Sequence, residues 1–341
     1  MAGSVKHVFT DHLGRQHVQR LVTRKDTAPR RTLVLLSEGE LEQAKTLAIR
    51  RDMGIGDLLM LTPTMRALKQ RHPQLAITLY CCSQFMCLFD GNDDLSAVRP
   101  LDQYAAEAAS FDLSADLMGW AERSPVRDCL DRTSIFAKAF DISLDDGFPI
   151  YRPTVQEMNE TSELLMTAPR PWVAIAPLGS ERRRCWEPAN LNDFCARFYD
   201  ETGGTLFPVH NNRDLDGTSC FRSDRCQPLW AVPLRQLFAI LARMDCVVSV
   251  DTGIFHAAAA ASGYKAQCGL VVLFGSVKPR LRTTWYSETR TEALWAPQAC
   301  EHCPCDSRLG FCPHQEAEKR LGCMKALTGE MVMAAVRRMV P

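Results

Sequence analysis

Residues 246–263 read CVVSVDTGIFHAAAAASG, an apolar strand-like run followed by a polar turn and an alanine-rich, helix-like run. The turn Asp251-Thr252-Gly253 predicts a helix N-terminus directly beyond the end of a strand. Such an N-terminus presents unpaired N–H groups and the positive end of the helix dipole, which favour a phosphate group. His256 falls in the first turns of that helix, where a satisfied core histidine is the alternative interpretation. The stretch therefore predicts an anion site at the edge of a sheet.

A second turn of this kind lies in the first half of the chain. The strand-like KTLAIRR at 45–51 is followed by Gly54-Ile-Gly56-Asp57 and by the helix-like LLMLTPTMRALKQRHP at 58–73. The glycines allow a ligand to approach the backbone closely. Spacing alone favours Asp57 as a cap of the helix, because Asp is a preferred N-cap residue. A chemical role for its carboxylate is the alternative at this point.

A third turn follows the strand-like PRPWVAIAPLGS at 169–180. The next residues, 181–186, read ERRRCW and so place three consecutive arginines beyond the end of a strand. Guanidinium groups bind planar anions such as phosphates through paired hydrogen bonds. The segment therefore suits a diphosphate, and a solvated basic loop is the alternative on composition alone.

Strand-like and helix-like runs alternate along both halves of the chain, which is typical of a parallel sheet covered by helices. The sequence therefore predicts an α/β protein with two doubly wound domains that face a central cleft. Ligands bind such sheets at the carboxyl ends of the strands, where all three turns would lie. We expect a first domain at 45–160 and a second at 161–341.

The N-terminal segment 1–44 is expected to be a basic extension outside these domains. Residues 1–31 hold seven Lys or Arg against two Asp, and the run HVFTDHLGRQHVQRLV alternates as a β-hairpin does. Over all 341 residues, 40 basic and 40 acidic side chains cancel, so no global field attracts nucleic acid. Because we see neither a membrane span nor a secretory signal, we expect a cytoplasmic protein. Peripheral contact with the inner face of the inner membrane is the alternative.

Taken together, the three turns resemble those of glycosyltransferase family nine, the ADP-heptose:lipopolysaccharide heptosyltransferases. The matching pieces are GxGDxLxLTPxxxALKxxxP, PxGSxxxRxW, VSVDTGxxHxAAA and the loop LFGSVKP at 273–279. The resemblance covers about residues 45 to 338. It implies a GT-B fold of two Rossmann-like domains, with the acceptor on the first and the nucleotide sugar on the second.

The resemblance also implies inverting sugar transfer without a catalytic metal, from an ADP-sugar and most simply ADP-heptose, to a glycolipid, glycan or protein acceptor in lipopolysaccharide core or surface glycan assembly. Asp57 then matches the catalytic base rather than a cap, since a carboxylate must accept the proton of the acceptor hydroxyl. The donor and phosphate positions match Ser180, Arg184, Asp251, Thr252, Gly253, His256 and, more weakly, Asp214. Arg184 stands where the family carries a lysine, and PVHNNRD at 208–214 replaces a glycine-containing turn.

The C-terminal segment 300–323 is rich in cysteine and reads CEHCPCDSRLGFCPHQEAEKRLGC. Cys300 and Cys303 have ligand spacing, and Cys312 and Cys323 would complete a tetrahedral thiolate site for a structural zinc or iron. Cys305, with His302 or His314, offers spare ligands, and reduced thiols in a loop are the alternative interpretation. The resemblance adds that some family members that modify proteins carry iron held by clustered cysteines.

Other functions are compatible with the same sequence. The chain could be a transferase of the same fold that uses another nucleotide sugar or a protein acceptor, or a relative that binds nucleotide without catalysis. A sugar-nucleotide epimerase shares the fold but is not expected to pair GxGD with DTGxxH. A metal-stabilised nucleic-acid-binding module is disfavoured, because charge is balanced and aromatic residues do not alternate with basic ones.

Overall fold

The computed structural model describes residues 4–10, 16–22, 34–210, 224–229, 232–263, 268–286, 290–305, 312 and 322–340. The chain divides into two units, at 1–33 and 34–341. Within the first unit, strands β1 (Ser4–Thr10) and β2 (Gln16–Val22) pair antiparallel, with Thr10 opposite Gln16. This pairing agrees with the hairpin predicted from the alternating N-terminal sequence.

The first half of the second unit contains a parallel sheet in the order β5-β4-β3-β6. Its strands are β3 (Thr46–Arg50), β4 (Ala76–Cys81), β5 (Ala97–Pro100) and β6 (Leu113–Asp116). The helices of this half are α1 (Glu38–Gln43), α2 (Ile55–Arg71), α3 (Tyr104–Glu107), α4 (Trp120–Arg123), α5 (Arg132–Lys138) and α6 (Val155–Leu165). Central strand β3 is apolar because both of its faces are covered.

The second half contains a parallel sheet in the order β11-β10-β9-β7-β8. Its strands are β7 (Trp172–Ala176), β8 (Thr205–Pro208), β9 (Cys246–Val250), β10 (Gly269–Phe274) and β11 (Thr291–Trp295). The helices are α7 (Pro188–Thr202), α8 (Leu234–Leu241), α9 (Gly253–Ser262), α10 (Arg280–Thr283), α11 (Gly322–Lys325) and α12 (Gly329–Met339). Both sheets confirm the α/β fold predicted from sequence.

Helix boundaries follow the local chemistry of the chain. Helix α7 starts with Pro188, whose missing N–H costs nothing in a first turn, and ends at Gly203 in the left-handed conformation (φ 67°). Helix α12 begins after Thr328, whose hydroxyl accepts a hydrogen bond from the backbone N–H of Met331.

The apolar core has two parts. One cluster joins α2 and α5 of the first half to α8 and α9 of the second, through buried side chains such as Leu58, Phe136 and Phe255. The other packs α7, α12 and the cysteine-rich segment against the opposite face of the second sheet. The first cluster is therefore shared by both halves, and the three predicted turns lie at the strand ends beside it.

Residues 34–44 differ from the expectation of a basic extension at 1–44. They belong to the second unit, and Leu36 and Leu41 are buried in its core. The prediction of an extension at 1–44 was based on its net charge. Net charge does not reveal the apolar side chains that helix α1 buries in the core. No helix in the described parts of the chain is both long and apolar enough to cross a membrane.

Substituting Gly329 with Ala is expected to lower the free energy of unfolding by about 1–3 kcal/mol. A Cβ at this first residue of α12 would lie 2.5 Å from the backbone nitrogen of Phe194 and 2.7 Å from the carbonyl oxygen of Asn190 in α7. Because both atoms are backbone, the helices must move apart. Urea denaturation followed by circular dichroism measures the change.

The matched control is Gly39→Ala in α1, where a Cβ would meet no atom within 4 Å. Alanine is the better helix former, so this variant should be as stable as wild type or about 0.5–1 kcal/mol more stable. Equal midpoints for the two variants would contradict the tight packing of α12 on α7.

Candidate functional site

A cavity of about 500 Å³ opens where the carboxyl ends of β3, β7, β9 and β10 face one another. It is lined by nine of the residues predicted from sequence: Gly54, Gly56, Asp57, Ser180, Arg184, Asp251, Thr252, Gly253 and His256. Asp214 lies outside the described residues. The three turns are thus brought together from both halves of the chain.

Two helix N-termini meet at the floor of this cavity. A Cβ on Gly56 of α2 would lie 2.9 Å from Cδ2 of His256, and one on Gly253 of α9 would lie 3.1 Å from the backbone nitrogen of Gly56. A side chain at either position would be crowded, because the two helix N-termini approach each other directly. The positive ends of two helix dipoles therefore point to one place.

Asp57 is buried in the first turn of α2, and its side chain does not cap the helix. The N-cap is Gly54, whereas the carboxylate of Asp57 faces guanidinium groups. Oδ1 accepts from Nη1 of Arg132 at 2.6 Å, and Oδ2 lies 3.3 Å from Nη2 of Arg51. The capping role favoured by spacing is therefore not what the structure shows.

Glu122 completes this group of charges. Its carboxylate lies 2.9 Å from Nη2 of Arg51 and 3.2 Å from Nη1 of Arg132. Burial alone would raise the pKa of Asp57, but the guanidinium groups of Arg132 and Arg51 outweigh it and hold that pKa well below its usual range. Asp57 is accordingly a carboxylate at any pH near neutrality.

The arginine loop after β7 forms the opposite wall. Glu181 accepts hydrogen bonds from Nε of Arg183 and from Nη2 of Arg184, the latter at 2.8 Å. Arg184 also donates to the hydroxyl of Ser180 at 3.0 Å and to the carbonyl of Asp251 at 3.2 Å. Nε of Arg184 is buried without a hydrogen-bond partner. This wall therefore presents an oriented, positively charged surface.

Helix α9 begins beside this wall. Thr252 is its N-cap, and the threonine hydroxyl accepts from the backbone N–H of Ile254 at 3.3 Å. Asp251 is buried just before the cap, with Oδ1 3.8 Å from Nε of Arg282. A small anion at this helix end would meet free backbone N–H groups and two arginines, since Arg184 and Arg282 also line the cavity.

His256 is buried on α9 with Nδ1 hydrogen-bonded to the hydroxyl of Tyr286. Burial and the nearby charge of Arg282 lower the pKa of His256 to about 3. The imidazole is therefore neutral near pH 7 and is not the protonated form that acts as a general acid. It packs beside Gly56 at the floor of the cavity, which it also lines.

Four charged residues around Asp57 were missed by sequence reasoning: Arg51, Glu122, Arg132 and Arg282. Arg51 is the last residue of the recognised strand-like run KTLAIRR, and Arg282 lies three residues after the loop LFGSVKP. Arg132 directly follows the N-cap of a short helix, in the part of the chain that was hardest to read. The fold brings these four residues together, and residue type alone does not predict that they are close.

The described residues of the cysteine-rich segment pack beneath the arginine wall and do not line the cavity. Cys303, Cys305, Cys312 and Cys323 are buried, with Cys303 interacting with Cys323 and Cys305 with Cys312 through their thiols. Burial raises the pKa of Cys305 to about 12. Thiolates are suitable ligands for zinc or iron. Within the described residues, however, no three His, Cys, Asp or Glu side chains are grouped to hold a metal ion.

Comparison with known proteins decides the family. A model described as glycosyltransferase family 9 (heptosyltransferase) matches residues 127–307, more than half of the 341-residue chain. The chain belongs to glycosyltransferase family 9. As a member of this family it is a transferase with the GT-B fold. No curated protein matches the sequence.

Several solved structures share the fold of this family 9 protein. ADP-heptose lipopolysaccharide heptosyltransferase II of E. coli is 14% identical, with a TM-score of 0.66 over 86% of this chain and 98% of its own. E. coli heptosyltransferase WaaC, solved with ADP-2-deoxy-2-fluoro heptose, is 15% identical, with a TM-score of 0.55 over 86% of this chain and 99% of its own.

The iron-containing dodecameric glycosyltransferase TibC of enterotoxigenic E. coli also shares the fold. It is 14% identical, with a TM-score of 0.65 over 95% of this chain and 85% of its own. At these identities the similarity shows the fold of the family 9 chain alone. Its donor and acceptor have to be inferred from the chemistry of the cavity.

Acidification should destabilise the protein partly through His256. Its pKa is about 3 when folded and near 6.5 when unfolded, so below pH 6.5 only the unfolded chain takes up the proton. Stability from this group is fully present above pH 6.5 and falls by about 2 kcal/mol as the pH drops to about 5. Urea denaturation at a series of pH values measures it.

The variant His256→Asn keeps a hydrogen-bonding group beside Tyr286 but cannot titrate. Its stability should therefore fall less steeply with acidification than that of wild type, whatever its stability at pH 7.5. Parallel curves for the two proteins over this pH range would show that His256 is not buried in its neutral form.

Proposed function

We propose that this family 9 protein is an inverting glycosyltransferase that moves heptose from ADP-heptose to a hydroxyl acceptor. One observation carries the proposal: the carboxylate of Asp57, the N-terminus of α9 and the arginine loop line a single cavity. A base and a diphosphate-binding surface within one cavity are what inverting transfer from a nucleotide sugar needs. The reported relatives whose names include ADP-heptose support the choice of donor.

In the proposed reaction Asp57 takes up a proton, and the arginine loop and the N-terminus of α9 stabilise the leaving ADP. The acceptor oxygen attacks the anomeric carbon from the face opposite the diphosphate, and its proton passes to the carboxylate of Asp57. The bond between that carbon and the phosphate oxygen breaks, and ADP leaves with one more negative charge. Arg184 and the backbone N–H groups at Thr252 and Gly253 would stabilise that charge.

The remaining roles follow from position in the cavity. Ser180 holds Nη2 of Arg184, so its hydroxyl is available to orient the guanidinium toward a phosphate. Asp251 is proposed to bind sugar hydroxyls, and Asp214 to approach the ribose of the nucleotide. Under this proposal the reaction requires no catalytic metal, because developing charge is met by arginine and helix N-termini.

For the acceptor, we propose a hydroxyl of the lipopolysaccharide core or of a related surface glycan, bound by the domain at 45–160. The domain at 161–341 would bind the nucleotide sugar. The proposed setting is the cytoplasm, with peripheral contact at the inner face of the inner membrane. A different nucleotide sugar, a protein acceptor, or nucleotide binding without catalysis are the outcomes that the tests below distinguish.

We also propose that Cys300, Cys303, Cys312 and Cys323 hold a structural zinc or iron. The burial of the cluster and the softness of its thiols support this assignment, and so does iron in TibC. Elemental analysis of the purified protein should find about one zinc or iron atom per chain, by analogy with four-thiolate sites. A metal content that is unchanged in Cys303→Ser and Cys323→Ser would refute these ligands.

ADP and ADP-heptose should stabilise the purified protein against heat more than UDP, GDP, dTDP or CDP do. A ligand that binds only the folded state raises the free energy of unfolding by about 2.7 kcal/mol at a hundredfold excess over its dissociation constant, and so raises the midpoint. Preference for another nucleotide would replace the donor and leave the fold unchanged. No response to any nucleotide would refute the proposed donor site.

The variant Asp57→Asn should lose transfer by about a hundredfold or more, the usual contribution of a general base. Its affinity for ADP, measured by isothermal titration calorimetry, should change little, because the diphosphate is proposed to bind Arg184 and the N-terminus of α9 and not Asp57. The matched control is Asp146→Asn, which removes an exposed carboxylate 3.2 Å from Arg66 in the same half. Equal activity of both variants would exclude Asp57 as the base.

A further inference from the structure

Trp285 connects the donor half of the chain to the acceptor half. It follows helix α10 of the second half, and its indole Nε1 donates to Oδ1 of Asp131 in the first half at 3.0 Å. The ring lies directly against Gly147, where a side chain would overlap it. Trp285 is thus held between two segments of the opposite half by a hydrogen bond and by close packing.

Asp131 is the residue that starts helix α5. It is buried, and it caps the helix by accepting from the backbone N–H of Ser134 at 3.0 Å and from the hydroxyl of Ser134 at 2.6 Å. The backbone N–H of Ser134 and the indole of Trp285 bind the same oxygen of Asp131. The first turn of α5 is therefore fixed in part by a residue from the other half.

Arg132 is the first residue of that turn, and its guanidinium is the closest positive group to Asp57. Nη1 of Arg132 lies 2.6 Å from Oδ1 of Asp57 and 3.2 Å from Glu122. A shift in the first turn of α5 would move this guanidinium away from the carboxylate. Contacts therefore run without a gap from Trp285 through Asp131 and Arg132 to Asp57.

The segment that carries Trp285 also reaches the donor wall. Arg282 of α10 lies 3.8 Å from Asp251, at the N-terminus of α9, and its charge contributes to the low pKa of Asp57. Residues 280–286 therefore touch the donor side through Arg282 and the acceptor side through Trp285. The segment therefore connects the two sides of the cavity.

We infer that Trp285 is a positioning residue for sugar transfer, which sets the orientation of Asp57 through Asp131 and Arg132. The inference rests on the proposed function, since it concerns the proposed base. It predicts that the donor half fixes the base across the cavity, so that Asp57 is correctly oriented only when both halves are in register. Trp285 itself need not touch either substrate.

The variant Trp285→Phe removes the indole donor and keeps an aromatic ring against Gly147. Hydrogen exchange of residues 132–138, followed by mass spectrometry on the full chain, should become faster because the cap of α5 loses one anchor. The rate constant kcat should fall roughly ten- to a hundredfold, as expected for a misplaced catalytic group. Affinity for ADP should stay within about twofold, since no nucleotide contact changes.

The pH dependence of kcat separates positioning from a purely structural role. If Arg132 is held less closely, the pKa of Asp57 rises, and the acid limb of the kcat profile moves to higher pH in Trp285→Phe. The matched control is Trp172→Phe, whose indole donates to the carbonyl of Ala168 at 2.8 Å at the amino end of β7, the end opposite the cavity. This control should leave the profile unchanged.

Two results would overturn the inference: unchanged exchange in α5, or faster exchange with an acid limb that stays in place. A wild-type protein that binds ADP but transfers nothing would count against the proposed function alone. In that case hydrogen exchange of α5 would still decide whether Trp285 holds the turn that carries Arg132.

Discussion

The N-termini of α2 and α9 meet backbone to backbone, with Gly56 and Gly253 leaving no space for a side chain between them. Each helix brings the positive end of its dipole to this point, and two such ends repel each other unless anionic groups lie nearby. Asp57 and Asp251 are buried there, one at each helix. The packing of two helices thus already requires acidic residues at this place and leaves room for the phosphates of a ligand. The chemistry of the cavity follows from that constraint.

Burying carboxylates is costly unless cations accompany them. Arg51 has no exposed surface and lies between Asp57 and Glu122, so removal of either partner would leave a buried charge uncompensated. The same contacts make Asp57 a weak base, although general bases act best when their pKa is near the working pH. A weak base is sufficient if the proton moves late, because the acceptor hydroxyl becomes strongly acidic as its oxygen bonds to the anomeric carbon. Orientation, rather than basicity, is then what the arginines supply.

The sequence predicted the α/β fold, and the glycine and aspartate residues that it singled out line one cavity. Glycines at 54, 56 and 253 and an Asp beyond an apolar strand are local features, and the strand-turn-helix pattern places them at the same edge of a sheet. Strands β5 and β6, of four residues each, lie in an irregular stretch and leave too little periodicity to be recognised. Strand β11 is half-exposed along its five residues, so it shows no apolar run by which the sequence could identify it.

The partners of Asp57 could not be predicted in this way. Arg132 is 75 positions from Asp57 in sequence, and Trp285 is 154 positions from Asp131. Neither residue belongs to a recognisable pattern, because an arginine after a helix cap and a tryptophan in a loop are common. These side chains come into contact only because of the relative placement of the two sheets, and that placement depends on the core shared by α2, α5, α8 and α9.

The C-terminal segment supports the donor wall from beneath, and this explains why a cysteine-rich region accompanies a cavity that it does not line. Cys303 donates from its thiol to the carbonyl of Gly275, at the end of β10, at 3.0 Å. The indole of Trp186, at the end of the arginine loop, donates to the carbonyl of Leu327 at 2.7 Å. A Cβ on Gly275 would lie 2.8 Å from the sulfur of Met324. Two loops that face the proposed diphosphate therefore rest on Cys303, Met324 and Leu327, so the packing of these residues helps to position the donor wall.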